Sequence, residues 1–122
     1  MKFILLLSLI FACSKEIEPL RYTKEELLSI ALKADSSVSF KLPKNMNEGI
    51  QCTDYPEGCV SGHMVAVKML DFIAVEFTTE EQARFAARKY RGFYVRNWFF
   101  DDVNGEPILE KFVTTALEAK RP

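Results

Sequence analysis

The chain has 122 residues, 48% of them hydrophobic and 27% charged, with a formal net charge of −1. That length fits one domain, and the composition is that of an ordinary globular protein. The charge excludes the strong basic excess of a dedicated nucleic-acid binder, and ten Phe, four Tyr and one Trp supply the bulk of a core.

The N-terminus reads Met-Lys, then an apolar run from Phe3 to Phe11 broken only by Ser8, then Ala12 and Cys13. A run this short cannot span a bilayer as a helix, which needs about 20 apolar residues. A charged start, a short apolar stretch and a small residue before a cleavage point are the parts of a signal peptide. Ile10-Phe11-Ala12-Cys13 resembles the bacterial lipobox: an aliphatic residue, a variable one, a small one, then cysteine. The resemblance covers these residues alone and implies an export route. It implies cleavage before Cys13, a diacylglyceryl group on its thiol and an acylated amine. Two or three acyl chains anchor stably where one is marginal. The expected divisions are a signal peptide over 1–12, a lipidated tether over 13–22 and one domain over 23–122. The expected address is the bacterial cell envelope. With Ser14 rather than Asp after the cysteine, that means the outer membrane facing the periplasm in a Gram-negative source.

Thr23 and Glu26 form a capping-box pattern, and Leu27, Ile30, Ala31 and Ala34 follow at helical spacing. These predict a helix over 24–34. Val38, Phe40 and Leu42 alternate with polar residues, which predicts a half-buried strand over 37–42. Residues 43–62, rich in Pro, Gly and Asn, read as a loop. It carries Cys52 and Cys59, which would pair after export into an oxidising compartment. An eight-residue ring stabilises by roughly 2.5 kcal/mol on the chain-entropy account. A metal site would need more ligands than His63 supplies.

Residues 64–70 and 72–77 read as two strands, or as one strand bent at Asp71. No Gly is present there to supply a positive φ for a hairpin turn, so a short helix over 62–70 is the alternative. Thr78-Thr79-Glu80-Glu81-Gln82 opens a second helix with another capping pattern, with Ala83, Ala86, Ala87 and Tyr90 on one face and Gly92 as its stop. Phe93 to Phe100 reads as one aromatic strand, 101–105 as a turn, and Pro107 as the first turn of a last helix. Leu109, Phe112, Val113 and Ala116 form that helix's inner face. The fold class is α+β: a small, mainly antiparallel sheet with helices on one face, for which a ferredoxin-like arrangement is the first topology to expect.

Period-two alternation along 93–100 places Tyr94, Arg96, Trp98 and Phe100 on one side. If that side is uncovered, Tyr94, Arg96 and Trp98 form an aromatic-arginine contact surface of the kind found at binding hot spots. An envelope protein or a glycan is the partner it would suit; the other reading is sheet packing. Arg91-Gly-Phe-Tyr-Val-Arg resembles in part the RNA-recognition-motif octapeptide. Two departures, Tyr94 at the small-residue place and its position after the helix rather than before it, set nucleic acid aside as a partner. Asp101, Asp102 and Glu106 lack the spacing of a calcium loop and read as turn and cap residues. Arg84, Arg88, Lys89 and Arg91 read as a solvated face paired with Glu80 and Glu81, or as a face for anionic lipid or an acidic partner. His63 is the single histidine, and Ser61 is its nearest nucleophile. No nucleophile elbow or phosphate loop is present, and no cofactor is expected.

The expectation is therefore a lipid-anchored, non-catalytic interaction module of the envelope. Its alternatives are a small lipoprotein inhibitor or accessory subunit acting through loop 52–59, and a hydrolase relying on His63.

Overall fold

The computed structural model describes residues 20–41 and 49–122. The signal segment, Cys13, most of the tether and Leu42 lie outside the described residues. Along the chain the elements are α1 (Lys24–Ala34), β1 (Ser39–Lys41), a single 3-10 turn (Cys52–Asp54), β2 (Cys59–Val67), β3 (Leu70–Phe77), α2 (Glu80–Tyr90), β4 (Phe93–Val95), β5 (Trp98–Asp101) and α3 (Pro107–Thr115). The strands form one sheet in the order β1-β2-β3-β5-β4, and every neighbouring pair is antiparallel. The molecule is α+β, as composition and pattern predict.

Each helix begins where the sequence places its cap. The Thr23 hydroxyl accepts from the Glu26 N–H, and the Glu26 side chain accepts from the Thr23 N–H. Thr79 and Gln82 repeat that reciprocal pair for α2. Glu106 caps α3 by accepting from the Leu109 N–H, with Pro107 in the first turn. Each cap satisfies N–H groups that a helix start leaves without partners.

The sheet is covered on both faces rather than one. Phe72 and Ala74 of β3 pack with α1 and α3 through Leu27, Ala31, Leu109, Phe112 and Val113. Val75 and Phe77 of the same strand pack with Ala83, Ala86 and Ala87 of α2. Successive strand residues point to opposite faces, and β3 is apolar in both sets, so burying it takes a layer on each side. The topology follows. β3, α2 and β4 make a crossover whose two strands run parallel with β5 inserted between them, one split β-α-β unit. The ferredoxin-like expectation is met in this unit alone. The other neighbour of β3 is β2, joined to it by a hairpin.

The two strands expected over 64–77 form a hairpin, and a second hairpin replaces the single strand expected over 93–100. Strand β2 starts at Cys59, inside the stretch read as loop, and runs straight through the alternative helix of 62–70. Val67 pairs with Leu70, so Lys68 and Met69 form a two-residue turn with φ of 51° and 66°. That is the sign pattern of a type I′ turn, made without glycine. The expected strand 93–100 is likewise folded back on itself at Arg96 and Asn97, where Val95 pairs with Trp98. Arg96 takes the positive φ, 49°.

Gly92 does not stop α2 by its own φ. Arg91 takes the left-handed conformation there, while a Cβ on Gly92 would collide with the Phe99 ring and the Phe100 carbonyl. Beyond α3 the tail returns to the sheet edge, where Lys120 and Tyr94 exchange two backbone hydrogen bonds of 2.9 Å. This covers an edge that would otherwise invite pairing.

Candidate functional site

The hairpin at Arg96 and Asn97 disperses the expected aromatic-arginine surface. Tyr94 sits opposite Phe99 and is buried with α2, whereas Trp98 is fully buried on the α1/α3 side. The three residues lie on two faces and a turn, so no shared surface of Tyr94, Arg96 and Trp98 exists. Their roles are internal. The Trp98 Nε1–H donates to the Tyr22 carbonyl at 3.0 Å, and the Arg96 guanidinium stacks 4.1 Å from the Tyr22 ring centroid. Between them, buried Asn97 accepts from the Tyr22 N–H at 2.8 Å and donates to the carbonyls of Tyr22 and Phe77. These bonds draw Tyr22, expected at the end of the tether, into the domain. Arg21 reaches the Thr78 carbonyl at 2.8 Å beside it.

Cys52 and Cys59 form a disulfide with Cα atoms 5.5 Å apart, within the ordinary range. Gly58 holds φ of 98° in the ring and lies against the Gln82 side chain. The loop is fastened to α2 and β5 at its other points. The Tyr55 hydroxyl donates to Asp101 Oδ2 at 2.9 Å, and the Tyr90 hydroxyl donates to the Asp54 carbonyl at 3.1 Å. Burial, then the Asp101 hydrogen bond and charge, hold the Tyr55 phenol well above its usual range. An open groove of about 430 Å³ runs between loop and helix, lined by Pro56, Glu57, Gln82 and Phe85 among others.

The structure also assembles a polar cluster. Ser61 Oγ lies 3.0 Å from His63 Nε2 and 3.2 Å from Glu76 Oε1. Ser61 and Glu76 are cross-strand partners on β2 and β3. The imidazole stacks on Phe40 with centroids 5.4 Å apart and tilts against Trp98 at 6.0 Å. Burial, then the nearby Lys24 charge, lower the His63 pKa. Two residues apart on a strand is the spacing that puts Ser61 and His63 on one face. In a Ser-His-acid relay the acid orients the far ring nitrogen of the histidine. Here the carboxylate meets the serine. Among the described residues no carboxylate hydrogen-bonds the far ring nitrogen of His63.

The remaining expected residues separate. Asp101 is held by Tyr55 and Glu106 caps α3, while burial and the Asp101 charge raise the Asp102 pKa. Among the described residues no three His, Cys, Asp or Glu side chains converge as cation ligands. Arg84, Arg88, Lys89 and Arg91 are exposed, and no described carboxylate forms an ion pair with any of them. The expected pairing with Glu80 and Glu81 is absent among the described residues.

A groove of about 440 Å³ opens between the C-terminal end of α1, the β2–β3 turn and α3. Val67, Phe112 and Ala116 line its floor, with Asp35, Lys68 and Lys111 around it and Ile108 49% exposed at its rim. Met69 stands beside it at the turn, 99% exposed. The turn is braced from α1's side, where Ser37 Oγ accepts from the Lys68 N–H at 2.9 Å and Asp35 pairs with Lys68 Nζ at 3.7 Å.

No described helix is long and apolar enough to cross a membrane. Comparison with protein-family models, with curated proteins and with solved structures finds no match.

Proposed function

We propose that the protein is a non-catalytic interaction module of the bacterial cell envelope, anchored by lipid on Cys13, and that it offers a partner the groove between α1 and α3 with the Lys68–Met69 turn. The anchor rests on Ile10-Phe11-Ala12-Cys13 behind the short apolar run. The observation that carries the contact surface is Met69. A large apolar side chain is held almost fully in solvent on two consecutive non-glycine residues of positive φ. Backbone in such conformations costs on the order of 1 kcal/mol or more per residue, and an exposed side chain contributes nothing that offsets it within the fold. The placement of Glu76 against Ser61, rather than against the far ring nitrogen of His63, supports the non-catalytic reading over a hydrolase using His63.

A second reading, an inhibitor or accessory subunit acting through loop 52–59, draws on the groove at Pro56 and Glu57 and on the rigidity of the disulfide ring. Photo-cross-linking in cells from a benzoylphenylalanine at position 69 and, separately, at position 57 distinguishes them. A discrete adduct from position 69 that disappears with Ile108→Asp supports the α1/α3 groove. An adduct from position 57 alone supports the loop, and no adduct from either overturns the module reading. The intact mass of protein purified from membranes reports the lipid on Cys13 independently.

A further inference from the structure

We infer that the outward face of α2 is a membrane-contact surface, laid on anionic phospholipid. On this helix Ala83, Ala86 and Ala87 point into the core. The opposite face therefore presents Arg84, Phe85, Arg88 and Lys89, continued by Arg91 at the cap. Phe85 is 52% exposed amid these cations. One carboxylate, Glu81, shares the outward face, and Glu80 and Glu57 are its acidic neighbours, yet none forms an ion pair with the basic group. A cationic face with a half-exposed aromatic ring among its charges is the composition of a helix lying at a bilayer surface. Arginine and lysine meet the headgroups while the ring enters the acyl boundary.

The position of the tether agrees. The Arg21 guanidinium binds the carbonyl of Thr78, two residues before α2 begins, so this side chain spans from Tyr22, packed with the α1/α3 layer, to the start of α2. Seven Cα-to-Cα steps lead from Cys13 to Leu20, a reach of up to about 25 Å. The helix itself is about 16 Å long. A bilayer holding Cys13 can therefore meet α2 along its whole length. The face also supplies what one anchor leaves undetermined, since a single point of lipid attachment limits distance but does not set orientation. With α2 against the bilayer, the α1/α3 layer and its groove face away from it, because the two layers are on opposite sides of the sheet. The distance argument rests on the anchor proposed above; the charge and exposure of the face do not.

The test uses the full protein purified from membranes, with Phe85→Trp as a reporter and fully buried Trp98 as the internal reference. It is reconstituted into vesicles of phosphatidylglycerol or of phosphatidylcholine, each with brominated acyl chains. The position-85 emission is expected to be quenched at least twofold more in phosphatidylglycerol. Arg84→Gln, Arg88→Gln and Lys89→Gln together should remove that difference. Each basic side chain changes partitioning by roughly fivefold, so unlipidated protein carrying all three should sediment about a hundredfold less well with phosphatidylglycerol vesicles. Equal quenching in both lipids, or quenching indifferent to the three substitutions, overturns the membrane face. Protein without lipid on Cys13 that still sediments with phosphatidylglycerol alone keeps the face and removes the anchor.

Discussion

At the residue scale, Asn97 joins three parts of the chain. Its amide binds both backbone groups of Tyr22 and the Phe77 carbonyl, and its own carbonyl accepts from the Phe77 N–H at 2.7 Å. Asn97→Ala leaves buried polar groups without partners, at about 1–3 kcal/mol for such a group. A urea midpoint lowered by that amount is expected, and a change under 0.5 kcal/mol would contradict the bonding described. Trp98→Ala is a poor probe of binding for the same reason: removing a fully buried indole costs about 3–5 kcal/mol. Two titrations give the stability a shape in pH. His63 has a lowered pKa, so the unfolded chain binds its proton first as pH falls. Stability is lost as pH drops below about 6.5, and His63→Gln should flatten that part of the curve. Tyr55 has a raised pKa, so above pH of about 10 the unfolded chain loses its phenolic proton first. Stability then falls as pH rises, and Tyr55→Phe should remove this alkaline slope. Denaturant midpoints measured across both ranges check the two signs.

At the element scale, the caps and the two hairpins behave differently. Thr23 with Glu26 and Thr79 with Gln82 place α1 and α2 from four residues each, because a capping box is a local hydrogen-bond exchange that needs no partner element. The hairpins have no such local mark. Lys68-Met69 and Arg96-Asn97 carry no glycine, and the positive φ values of Lys68, Met69 and Arg96 accompany the pairing of Val67 with Leu70 and of Val95 with Trp98. Replacing Lys68-Met69 by Asn-Gly should raise stability by about 1–2 kcal/mol, read from a urea midpoint. If the turn is a contact element, the same change should abolish cross-linking from a probe at position 108, the trade expected where strain serves function. For the disulfide ring, Cys52→Ser with Cys59→Ser should cost roughly 2.5 kcal/mol. Because Tyr55 and Tyr90 also fasten the loop, the fold should persist without it, as the near-ultraviolet spectrum of the variant would show.

At the scale of the whole molecule, the sheet divides the protein into two working layers. One side carries α1, α3 and the groove beside Met69; the other carries α2, the disulfide loop and the cationic face. Under the proposed function, membrane attachment and partner contact would fall on separate surfaces, and a substitution in one should leave the other intact. Ile108→Asp is expected to leave vesicle sedimentation unchanged while removing the cross-link at position 69. Loss of both would mean that the layers are not independent.

The sequence by itself determined the helices, the α+β class and the pairing of Cys52 with Cys59. Each depends on spacing within a short segment or on the scarcity of alternatives. It also marked the N-terminal run and the basic helix as chemistry of a distinct kind. Tertiary structure decided where strands turn, which faces are covered and which aromatics are exposed. Along 93–100 nearly every residue is apolar or aromatic, so alternation cannot show that the chain reverses at Arg96. That reversal moves Trp98 to the opposite face from Tyr94 and turns an expected contact surface into core. Glu76 meets Ser61 only because β2 and β3 pair in one register, and long-range register is set by packing against layers that no local pattern contains.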